Sequence, residues 1–257
     1  MTQVWKAIAR GVVIETIRRK DLWVIAILGF IIMLSAGALG FFGFQGLQSF
    51  AKDLAVSVLG LFSTIIAITT TSRLMPEEIK NRTLYPLLAR PIRRIDLLIG
   101  KLAGAIAVSW LSFLLLAVVT AVSLAIFRVT FEPIMLQYLL CKMFGLAVVC
   151  GVTFALSTLM TPAAAATMSF ILAFGSSMIV RALVMANDAN PGAGGFFFKA
   201  LNGVLPQVNL FDLGSRVAND QWGMVPMWVV GALLAYAVLY TSAMLGVSWL
   251  KFRRQAV

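Results

Sequence analysis

Six predominantly apolar runs, each more than twenty residues long, divide the chain: Leu22–Phe44, Leu54–Leu74, Leu97–Phe127, Ile134–Met160, Ala163–Ala186 and Val225–Leu250. About 20 such residues cross a hydrocarbon layer of about 30 Å as a helix. Lipid offers backbone groups no partner, so a spanning segment must satisfy its own hydrogen bonds. The sequence therefore predicts an all-α polytopic membrane protein with six transmembrane helices in one domain, residues 1–257. Composition agrees. Sixty-one per cent of residues are hydrophobic, 12% are charged, and the mean hydropathy is +0.95. A soluble domain is about 45–50% apolar and about 25% charged. The third run is longer than a bilayer requires and should tilt or extend beyond it. The first run begins too late and is too long for a cleaved signal core, and is read as a retained span.

A net charge of +11 could suggest nucleic acid in a soluble protein. Here the basic residues sit in blocks between spans, which is the pattern of membrane topology, and no nucleic-acid partner is expected. Lys6, Arg10, Arg18, Arg19 and Lys20 precede the first span. Arg73, Lys80, Arg82, Arg90, Arg93, Arg94 and Lys101 surround the connection after the second, and Lys251, Arg253 and Arg254 follow the sixth. Because basic loops stay inside, both termini and the 73–101 connection are expected in the cytoplasm.

The residues absent from the chain narrow its chemistry. With no histidine, Ser-His hydrolysis, His-ligated metal and His proton relays are excluded. Cys141 and Cys150 lie about 13 Å apart along one helix, too far for a disulfide, and read as packing or lipid-facing residues. Asp53 marks an outer boundary, and Asp21 and Asp96 flank inner ends, so the spans hold almost no carboxylates of the kind an ion-coupled carrier uses. The phosphate-binding pattern GxxxxGK followed by Ser or Thr is missing: Gly100-Lys101 is followed by Leu102, and Ile95 stands where the first Gly belongs. No catalytic residue, metal site or cofactor is expected in this chain. Energy for uphill transport would come from another subunit.

Two spans carry a cation, Lys142 and Arg181. Either can snorkel toward the outer face, or both can face a dimer groove and attract an anionic substrate or lipid headgroup. In the N-terminal tail Val4, Trp5, Ile8 and Val12 share one face of a helix, with Lys6 and Arg10 opposite. That pattern predicts an interfacial helix, as against a solvated tail. Outside the membrane, Asn187–Gly195 reads as a loop. Phe196–Pro206 is apolar but too short to cross, and Asn209–Asn219 reads as a short helix, so the 187–224 segment either lies on the membrane or re-enters it.

The cytoplasmic connection, 75–96, carries the most specific signal. Pro76 followed by Glu77 and Glu78 reads as a helix start. Pro86 and Pro91 break the chain into short pieces beyond it, and Asp96 can cap the third span. A solvated linker would not need Leu84, Leu87 and Leu88 interleaved with Arg82, Arg90 and Arg93; a docking surface would. The segment resembles the coupling loop of integral-membrane subunits of type-2 ABC exporters in Glu78, Thr83-Leu84, Leu87-Leu88, Pro91 with Arg93, and Gly100-Lys101. It departs at Arg82, where the family commonly has Gly. The resemblance extends to the tail helix, six spans, a long segment before the last span, and a basic C-terminus.

The resemblance implies a permease subunit that dimerises with a second permease protomer, as a homodimer or heterodimer. It also implies two separate cytoplasmic ABC ATPase subunits that bind ATP and Mg, in a cell membrane such as a bacterial inner membrane. Glu77, Glu78, Arg82, Thr83, Leu84, Leu87, Leu88, Arg90 and Arg93 would then form the ATPase-coupling surface, on a helix over 76–90. The rival readings are an ATP-independent channel or carrier and a membrane-embedded scaffold or enzyme. The first lacks a clear polar pore lining, and the second lacks both histidine and midplane carboxylates.

Overall fold

The computed structural model describes residues 2–18, 27, 29–31, 47–80, 94–126, 132–189, 193–218 and 223–254. Among these residues the protein is all-helical. Helix α1 is Thr2–Arg18, α2 Leu47–Lys80, α3 Arg94–Ile126, α4 Pro133–Leu159 and α5 Pro162–Ala189. Helix α6, Ala193–Val204, a 3-10 turn at Val208–Phe211 and α7, Gly214–Ala218, precede α8, Met227–Arg254. Helices α2, α3, α4, α5 and α8 are long and apolar enough to cross a membrane. They match the second to sixth expected spans within a few residues at most ends. The expected first span, 22–44, falls outside the described residues apart from 27 and 29–31, which are helical.

Helix α4 is the centre of the bundle. It packs against α2, α3, α5 and α8. Much of its surface is small: Cys141, Gly145, Cys150, Gly151, Ala155 and Ser157 are all buried. Lipid tails are as apolar as leucine, so close backbone approach, and not the expulsion of water, must hold such helices together. Both cysteines are buried and unbridged, the packing alternative of the two expected from sequence. Cys150 Sγ lies 3.0 Å from Ser109 Oγ on α3, and the Trp110 indole donates to the Met143 carbonyl at 2.9 Å. The pairs 109–150 and 110–143 run α3 antiparallel to α4. Tyr138 to Val56 and Lys52 to Glu132 run α2 parallel to it.

These pairings give the bundle two ends. At the basic end lie the start of α3 and the finish of α2 and α8. At the far end lie Lys52, Glu132 and the 193–218 segment. Helix α3, with 33 residues, is about 50 Å long at 1.5 Å per residue, longer than a bilayer core, as expected.

The structure corrects four local expectations. Helix α2 does not end so that a new helix can begin at Pro76; it runs through Pro76 to Lys80. Proline removes one backbone hydrogen bond, which a long helix near its end can lose without breaking. The polar stretch 187–195 is not a continuous loop, because α5 extends to Ala189 and α6 begins at Ala193. Instead of one helix over Asn209–Asn219 there are two short pieces. They divide at Asp212, whose Oδ1 accepts the Gly214 N–H at 3.0 Å and diverts the backbone from helical bonding.

The fourth correction concerns α1, which forms as expected but does not keep its apolar stripe for lipid. It lies along the first turns of α3. Trp5 Nε1 donates to Asp96 Oδ1 at 3.0 Å. Ile8 meets Gly100, and Ala9 and Val12 meet Gly104. The pairs 5–96, 8–100 and 12–104 keep a nearly constant offset of 91 or 92, so the two helices run side by side and in the same direction. Asp96 sits in the first turn of α3, where its charge favours the helix start while it also holds the indole.

Candidate functional site: a charged groove at the far end

The groove begins with one face of α2. Asp53, Ser57, Gly60 and Thr64 recur at helical spacing and line a cavity of about 530 Å3. Opposite them stand Lys142 of α4 and Ser176 and Ser177 of α5. Asn209, Asp212 and Ser215 of the far-end segment close one side, and Leu61, Phe174 and Val208 give the cavity an apolar part. Its size is that of a small-molecule site, about 300–1,000 Å3.

Lys142 reaches toward the far-end segment. It is buried, and its Nζ lies 3.2 Å from Asp212 Oδ2. Its carbon stem and amine run along Gly60. A Cβ there would sit 3.1 Å from Nζ and 3.3 Å from the Tyr138 hydroxyl, so the missing side chain makes room for the ammonium. Tyr138 donates to the Val56 carbonyl at 3.1 Å, which joins α4 to α2 beside the lysine. Lys142 stands about 14 Å along α4 from Pro133 at 1.5 Å per residue, deep enough that an unpaired charge would be costly. Asp212 supplies the pairing while keeping half its side chain exposed (51%). Its backbone is fixed from below by Phe211, which packs onto Gly145 of α4; a Cβ at that glycine would sit 2.8 Å from the Phe211 Cβ.

A second cation, Lys52, is also buried and pairs with Glu132 at the end of the bundle. Arg181, expected to share the role of Lys142, is exposed and lies outside the groove lining. Of the expected coupling residues, the backbone of Glu77 and Glu78 belongs to α2. Arg82, Thr83, Leu84, Leu87, Leu88, Arg90 and Arg93 lie outside the described residues.

Sequence reasoning missed three features. Asp212 is 70 residues from Lys142 and sits in a segment that reads only as a surface piece, so nothing local announces the pair. Asp53, Ser57 and Gly60 do share a helical face, and that face is legible, but its partner is not. Gly100-x-x-x-Gly104 is a small-residue motif for close helix approach, whereas in the sequence Gly100 stands out only against the phosphate loop and the exporter pattern.

Residues 22–257 match the family described as a protein of unknown function (DUF2705). That match spans most of the chain, which therefore belongs to the family. No curated protein matches it.

Proposed function

We propose that this member of the DUF2705 family is the membrane subunit of an ATP-driven exporter. It would pair with a second permease protomer and take its energy from separate cytoplasmic ATPases that bind ATP and Mg. In this reading the basic end of the bundle faces the cytoplasm. The observation that carries the proposal is the setting of the 81–93 connection. It joins two long helices, one of which continues past the expected break at Pro76, while the other starts at Arg94 with α1 fastened to its base. A push delivered to the ends of these two helices would reach the rest of the bundle. The apolar and charged residues Leu84, Leu87, Leu88, Arg82, Arg90 and Arg93 supply the surface for an ATPase to push on.

The test is to change Leu84 and Leu88 together to Asp, and separately Glu78→Lys. Both changes lie outside the apolar runs and should leave insertion and expression intact. Each is expected to weaken ATPase co-purification at least tenfold, since a paired charge lost from an interface centre costs about 2–5 kcal/mol, and to abolish ATP-dependent transport in vesicles. Normal ATPase association and transport by the Leu84/Leu88 variant would overturn the proposal. The buried Lys142, paired with the half-exposed Asp212, favours one other reading, an ATP-independent carrier, because ionisable residues within a membrane mark transport pathways. Transport by the reconstituted chain alone would select it.

A further inference from the structure

We propose that the far-end groove binds a lipophilic cation: an apolar body bearing one positive head. The inference rests on the exporter reading in that it names a substrate class for it, but the binding it describes belongs to this chain alone.

The charge balance of the groove points to the sign. Among the described residues, three ionisable side chains line it: Asp53, Lys142 and Asp212. Lys142 is already neutralised by Asp212 at 3.2 Å. Asp53 is exposed and makes no ion pair or hydrogen bond among the described residues. Arg216, next to Ser215 on α7, is not among the lining residues and has an interaction of its own. The described lining therefore keeps one negative charge beyond the Lys142–Asp212 pair. Its low-dielectric walls strengthen the attraction that this charge exerts.

Placement supports the same ligand. Asp53 stands nearly two helical turns from Gly60, about 10 Å at 1.5 Å per residue, and so at the mouth, while the half-exposed Asp212 lies deeper. A positive head would meet carboxylates at both depths. Leu61, Phe174 and Val208 would take the apolar body, and the Phe174 ring offers a face of the kind that attracts cations. An anion would find the one lysine already occupied and two carboxylates repelling it.

The probe pair is tetraphenylphosphonium and tetraphenylborate, which share shape and differ in sign. Binding is measured by calorimetry on the purified chain in dodecyl maltoside, without ATPase. Failure here leaves the coupling test standing, and failure of coupling leaves this one standing. The cation is expected to bind at least tenfold more tightly than the anion. Asp53→Asn should lower cation affinity about tenfold; this exposed residue has no bond for the fold to lose. Lys142→Met should raise cation affinity, because it frees the Asp212 charge. Phosphatidylethanolamine should compete if the natural head is a lipid amine, and be inert if it is a free amphiphile. Equal binding of both probes, preference for the borate, or full cation affinity in Asp53→Asn would overturn the proposal.

Discussion

At the residue scale, Gly104 decides whether α1 can dock. A Cβ there would lie 2.9 Å from the Val12 Cβ and 3.1 Å from the Ala9 Cα, and a backbone atom cannot swing aside as the end of a side chain can. Gly104→Leu should push α1 off α3 at a cost of about 1–3 kcal/mol, the usual range for overpacking. A Cys placed at Val12 in a Cys-free background, where the native side chain is 6% exposed, should be protected from a thiol reagent and become reactive when Gly104→Leu is added. Continued protection would mean that the contact does not hold α1. Lys142 is legible as a charge in an apolar run, because such a charge demands an explanation wherever it occurs. Its partner Asp212 is not, because pairing across 70 residues is a property of the fold and not of any local pattern.

At the element scale, long apolar helices can be read closely because length and hydropathy alone define them. Breaks read less well. Pro76 and the Asn187–Gly195 stretch carry residues that favour helix ends, yet the helices run on through Pro76 and through residues 187–189. The α1 stripe is visible, but amphipathicity says only that one face wants cover, not whether lipid or α3 supplies it. Helix α6 packs against α5 yet poses the same question, because Phe196, Phe197 and Val204 remain exposed, with Lys199 among them. A helix of 12 residues, about 18 Å long, cannot cross a bilayer and is suited to its surface. A bimane label on Cys replacing Phe197 should be quenched by lipids carrying a nitroxide near the headgroup and spared by those labelled deep in the tail. The opposite depth profile would make α6 re-entrant, and quenching by neither would free it of lipid altogether.

At the scale of the whole molecule, the charge distribution makes a testable prediction of orientation. Single Cys residues replacing Ser49 or Asn202 in a Cys-free variant should react with an impermeant thiol reagent added outside, and those replacing Asn81 or Gln255 should not; the reverse pattern would invert the bundle. The order of the long apolar helices is readable from composition, and the position of the groove is not, since it is assembled from α2, α4, α5 and the far-end segment. The uninterrupted run of α2 carries one more consequence. A single helix lines the groove with Asp53, Ser57, Gly60 and Thr64 and emerges at the other end with Glu77 and Glu78. If its two ends serve ligand and motor, their affinities form a closed thermodynamic cycle. Whatever factor the motor imposes on ligand affinity, the ligand must return to the motor in equal measure. A substrate waiting in the groove would thus recruit its own power source.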